Sequence, residues 1–75
     1  IFDGDYVVLR KQETAHNGQT VVALIEGEAT IKKFYRRNRH IELQPANPNY
    51  KPIIVSEEKD FKIEGILIGL IRLLK

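Results

Sequence analysis

The chain has 75 residues, of which 43% are apolar and 29% charged, a balance that speaks against disorder and leaves room for one small domain. Cysteine is absent, which excludes a disulfide framework, a thiolate metal site and a cysteine nucleophile. The net charge of +2 conceals a division: residues 1–28 sum to −3, residues 29–40 carry five cations and no acid, and residues 41–75 balance.

The chain opens on Ile1 with no signal-peptide pattern, so it is read as an internal piece of a longer protein. No stretch reaches the ~18 apolar residues of a membrane span. Asp3-Gly4-Asp5 reads as a turn, because two carboxylates without further oxygen ligands make a poor cation site. Residues 6–10 follow as a strand rich in β-formers. His16 abuts the Asn17-Gly18 pair, which supplies positive φ cheaply and marks a turn. Residues 20–25 and 29–35 flank Glu26-Gly27 and should form a tight hairpin. Asn38-Arg39 separates the second arm from a strand over 40–43, which His40 opens. The two histidines are too isolated to suggest a metal site. The loop 45–52 holds three prolines and cannot be a central strand.

Residues 53–55 make a short strand closed by Ser56, the only serine, which has no sequence-adjacent base to activate it. Residues 61–65 alternate, and from Ile66 the run is apolar on both faces. A buried strand and a short helix both fit there, with glycine and isoleucine favouring strand. A strand buried on both faces would need a covering partner.

These elements predict an all-β, mostly antiparallel fold with at least five strands and no long helix. The expected buried positions are Val7, Leu9, Val22, Leu24, Ile31, Leu43, Ile54, Ile63, Ile66 and Ile68. On the second hairpin arm, Thr30, Lys32 and Phe34 share one face. If Phe34 points inward, Lys32 lies along the same apolar face. One reading is a lysine whose stem covers apolar surface while its amine reaches water. The other is a desolvated amine able to accept a proton. The basic run from Lys32 to Arg39 interleaves cations with Phe34 and Tyr35. That composition suits phosphate contact, and equally a solvated hairpin tip that protects a sheet edge.

Taken in order, the segments resemble the carboxy-terminal domain of LexA-type self-cleaving repressors, the S24 peptidases. Ile1-Phe2-Asp3-Gly4-Asp5-Tyr6-Val7-Val8 is similar to the segment after that family's nucleophilic serine. Asn17-Gly18-Gln19-Thr20-Val21-Val22-Ala23 resembles its next strand, and Ala29-Thr30-Ile31-Lys32-Lys33 the strand carrying its catalytic lysine. Leu43-Gln44-Pro45-Ala46-Asn47-Pro48, Lys51-Pro52-Ile53-Ile54-Val55 and Ile63-Glu64-Gly65 with Gly69-Leu70-Ile71-Arg72 resemble the remaining loop and strands.

The resemblance implies that residues 1–75 are part of a LexA-like, signal-peptidase-like peptidase and dimerisation domain. It implies a Ser–Lys dyad acting on its own chain, with Lys32 as general base and Thr30 lining the cleavage site. Asp3 falls near the dyad in sequence order and receives no catalytic role. The family's serine motif would fall before Ile1, so the 75 residues alone should not cleave. The resemblance further implies a cytoplasmic homodimer that uses no cofactor or metal. It implies cleavage stimulated by the RecA filament after DNA damage, and operator DNA read by a separate amino-terminal helix-turn-helix domain. The dimer contact is expected at Ile66, Ile68, Leu70, Ile71 and Leu73, through an exposed edge strand pairing across a two-fold axis. A UmuD-like accessory subunit, a phage repressor and a non-enzymatic β assembly module are the alternatives.

Overall fold

The computed structural model describes residues 3–56 and 60–74. Ile1 and Phe2 of the resemblance, together with Glu57, Glu58, Lys59 and Lys75, lie outside the described residues. Six strands form one sheet in the order β1-β6-β2-β3-β4-β5. They are β1 (Tyr6–Lys11), β2 (Thr20–Ile25), β3 (Glu28–Arg36), β4 (Ile41–Gln44), β5 (Ile53–Val55) and β6 (Phe61–Ile71). Every pairing is antiparallel. The all-β expectation holds, and the ambiguous last run is strand through Ile71.

Local chemistry explains the boundaries. Glu26 and Gly27 both adopt positive φ, 50° and 82°, the combination that lets a two-residue turn follow the twist of its strands. Gly18 takes φ +90° in the turn expected there, and its N–H donates to the Phe34 carbonyl at 2.8 Å. The Asn17 side chain accepts the Arg36 N–H at 2.6 Å, so this turn carries the β2–β3 ladder onward to the end of β3. Arg37 N–H donates to the His40 carbonyl at 3.0 Å and closes the β3–β4 hairpin around Asn38-Arg39. Pro45 has no N–H to continue a ladder, and β4 stops at Gln44.

The core lies on one face of the sheet and consists of Val21, Ala23, Phe34, Leu43, Val55, Ile63 and Ile66. Of the ten expected buried residues, Leu43, Ile63 and Ile66 belong to it. β2 presents the opposite set: Val21 and Ala23 are buried, whereas Val22 and Leu24 are half-buried on the other face beside Ile31. Val7 is half-buried and Leu9 is exposed, because β1 is an edge strand. Ile54 is exposed because Ile53 and Val55 pair with Leu43 and Ile41 on the core face. Ile68 is 54% exposed, since nothing among the described residues covers the distal half of β6.

β6 has strand partners on both sides only where its two pairings overlap, at Gly65 and Ile66. β2 pairs with its residues 61–66 and β1 with its residues 65–71, with register shifts at Val22/Ala23 and at Val8/Leu9. The outer sheet edges belong to β1 and β5, and residues 67–71 of β6 add an open stretch on the β2 side, where the expected edge pairing has room. The end of the β1–β6 pair is tied by Arg72, whose guanidinium donates to both Asp5 carboxylate oxygens at 3.0 and 2.9 Å. The Asp5 side chain is 3% exposed, and this partner holds the Arg72 pKa above its ordinary value. Asp5 thus serves as a strand-end clamp, beside the Asp3-Gly4 turn read from sequence.

Candidate active site

β3 has nine residues and β4 only four. Pairing between them runs from Lys33↔Gln44 to Arg36↔Ile41. On its β2 side, β3 is paired along its length from Glu28 to Lys33. On the other side, residues 28–32 have no strand partner among the described residues. The fold therefore leaves an open strand edge inside a sheet, created where Pro45 turns the chain away.

Thr30 and Lys32 sit on this open stretch. Alternation from the buried Phe34 places both on the core face. Across the ladder Lys32 faces Val21 and Thr30 faces Ala23, both fully buried. Lys32 and Thr30 are themselves half-buried. The stem of Lys32 thus runs beside apolar neighbours on one side while the other side opens to a groove of about 640 Å³. Thr30, Lys32 and Lys33 line that groove from the strand, and Pro45, Asn47 and Tyr50 line it from the proline loop. A second concavity, lined by Glu28, Ala29 and Thr30 with Ile53, continues along the same edge.

The loop residues Asn47 and Tyr50 were not among the expected site residues. The signal was present in Pro45, which ends β4 early and brings the loop alongside β3. The loop is shaped by its own polar groups: Asn47 accepts the Asn49 N–H at 2.9 Å through its side chain and the Tyr50 N–H at 3.1 Å through its carbonyl.

The remaining candidates lie elsewhere. Ser56 lines a different concavity, beside Arg36, Arg37 and Phe61. His16 is exposed in its turn, where its N–H donates to the Gln19 side chain at 2.8 Å. His40 is half-buried at the start of β4. No group of three metal-ligating side chains occurs among the described residues. Ile66 is 4% exposed and belongs to the core, whereas Ile68, Leu70, Ile71 and Leu73 are 45–68% exposed. Among the described residues, no helix is long and apolar enough to cross a membrane.

An open strand edge with an amine and a hydroxyl beside it has the backbone groups to pair with an extended peptide. The chain belongs to the Peptidase S24-like family, whose model matches residues 1–68. It is 60% identical over 72 residues to the LexA repressor of Syntrophotalea carbinolica, covering 96% of this chain and 36% of that protein. It is 53% identical over 72 residues to the LexA repressor of Caldicellulosiruptor saccharolyticus, covering 96% and 34%. It is 49% identical over 76 residues to the LexA repressor of Geobacter metallireducens, covering 100% and 38%. The chain spans about a third of the length of the curated relatives it matches.

Proposed function

We propose that these 75 residues are the carboxy-terminal part of a LexA-type repressor of the DNA-damage response, and that Lys32 is the general base of its self-cleavage. The observation that carries the reading is the position of Lys32: on the core face, beside Val21, at the unpaired edge of β3 and over the groove. The serine comes from a segment outside these residues. Its Oγ–H proton passes to the neutral Lys32 amine as Oγ attacks the scissile carbonyl. The resulting ammonium returns a proton to the leaving amine, and water then hydrolyses the ester. The open edge of β3 supplies backbone N–H and C=O groups to an extended scissile segment, and Thr30 lines its path.

In this reading the whole protein is a cytoplasmic homodimer. Its operator contacts belong to a separate amino-terminal domain, and the RecA filament triggers cleavage. The exposed Ile68, Leu70, Ile71 and Leu73 supply apolar contacts around the end of β6. Residues 67–71 have β1 on one side and no strand partner among the described residues on the other, so the contact can include strand pairing along that open edge.

The test uses the longer parent, incubated at about pH 10, where roughly a quarter of ordinary lysine amines are neutral. Intact mass is followed for wild type, Lys32→Ala and Lys32→Arg. Both variants should retain the uncut mass, because neither alanine nor a guanidinium can accept the proton. Cleavage of Lys32→Ala at the wild-type rate would remove Lys32 from the mechanism.

A further inference from the structure

We infer that the tip of the β3–β4 hairpin is a docking pocket for an acidic peptide segment that carries an apolar side chain among its carboxylates. This goes beyond the self-cleavage reading and uses no residue of that site.

The pocket is a concavity of about 270 Å³ at the far end of β3 from the Lys32 groove. Its rim consists of Arg36, Arg37, Asn38 and Arg39 with His40, an all-donor set apart from the acceptor that each amide and imidazole also offers. Its floor is apolar: Ile41 and Phe61 are half-buried, and Val55 is 3% exposed. The strands bring these together from distant parts of the chain. Arg36 pairs with Ile41, Ile41 pairs with Val55, and Phe61 enters from the start of β6.

Two of the three arginines are braced by aromatic rings. Arg37 stacks over the Tyr35 ring at 4.9 Å, and Arg36 lies over the Phe34 ring at 5.8 Å. Stacking fixes the guanidinium planes and leaves their N–H edges for ligand oxygens. Glu42 engages Arg37 at 3.3 Å. Among the described residues, neither Arg36 nor Arg39 has an acidic partner. The pocket therefore presents two guanidinium charges that the described fold does not neutralise.

The shape selects among anions. A nucleic acid backbone is broad and convex, and its phosphates gain nothing from an apolar floor. A free phosphate is also indifferent to Ile41 and Val55. A peptide with one aliphatic side chain between carboxylates uses both parts, the anchor on the floor and the carboxylates on the rim.

Fluorescence anisotropy with a short fluorescein-labelled peptide, one leucine flanked by glutamates, tests this on the folded chain. Two control peptides replace the glutamates by glutamine or the leucine by glycine, and a short DNA duplex is the third control. The glutamate–leucine peptide should bind at least ~tenfold more tightly than every control. Arg39→Glu should weaken it by a further ~tenfold or more with an unchanged far-ultraviolet circular dichroism spectrum, because Arg39 is exposed at the tip. Equal binding of either control peptide, or an affinity untouched by Arg39→Glu, would overturn the proposal. Tighter binding of the duplex would make the tip a phosphate-backbone contact instead.

Discussion

Glu42 shows how a single side chain sets part of the pH response. Its carboxylate accepts the Gln44 side-chain N–H at 3.0 Å and the Arg37 guanidinium at 3.3 Å. These partners, Gln44 foremost, and the nearby His40 hold its pKa below the ordinary 4.5. A depressed native pKa contributes stability that is fully present above the unfolded value and is lost as pH falls through the folded one. Glu42→Gln removes that titration. The urea midpoint of wild type should therefore drop more between about pH 7 and about pH 3 than that of Glu42→Gln. Equal drops would show that the carboxylate gains nothing from these partners. Lys32 presents a different case. Its place on the face of Phe34 was legible from period-two alternation, since Lys32 and Phe34 are two apart on a clearly bounded strand. That its outer side is open was not, because this depends on where a different strand, β4, stops.

At the scale of the element, the sequence was most legible where polar and apolar residues alternate. Leu43 lies between Glu42 and Gln44, and Ile63 between Lys62 and Glu64, and both are buried as expected. β2 has no such contrast, because Val21, Val22, Ala23, Leu24 and Ile25 are all apolar. Its face is decided by register with β3 and β6, which puts Val21 beside Ile66 and Ala23 beside Ile63. The register shift at Val22/Ala23 is invisible in the sequence as a pattern, although Gly65 beside it is a clue. A Cβ at Gly65 would lie 2.9 Å from the Arg10 carbonyl oxygen and 3.3 Å from the Leu9 Cβ. β1 and β6 can approach to this distance only without a side chain there. Gly65→Ala should destabilise the chain by about 1–3 kcal/mol, the range for overpacking, read as a lower urea midpoint. An unchanged midpoint would mean that β1 shifts outward freely and that its pairing contributes little.

The whole molecule is a single layer. Its accessible surface is 6014 Å², against roughly 4,700 Å² for a compact protein of the same mass. The excess follows from a sheet whose core lies on one face, with large apolar side chains left exposed elsewhere. At the β1–β6 end the exposure is greatest: Tyr6 is 61% exposed, Ile71 50% and Leu73 68%. Contiguous apolar surface of this kind drives association. Ile71→Lys should weaken self-association by ~tenfold or more, seen by sedimentation as a shift toward monomer. A wild-type chain that sediments as a monomer at high concentration would rule out this face as a contact. The basic pocket belongs to the same scale. The run of cations was plain in the sequence, but its floor was not, because Val55 and Phe61 reach it only through the closure of the sheet.

The position of β6 between β1 and β2 has a consequence for how the chain acquires its structure. The strands from β2 to β5 follow one another as sequence neighbours, and each can pair soon after it is made. β1 comes first but has only one partner, and that partner comes last. During synthesis β1 must wait unpaired until β6 arrives, and β2 meanwhile presents an open edge. One insertion event then closes both gaps and completes the core by bringing Ile63 and Ile66 onto Val21 and Ala23. Pulse-labelled hydrogen exchange during refolding should find the amides of β1 and β6 protected together and later than those of the β2–β3 hairpin. Early protection of β1 would contradict this order. The interval before insertion is when the nascent chain is most exposed to wrong partners, and its length is set by the residues that separate the first strand from the last.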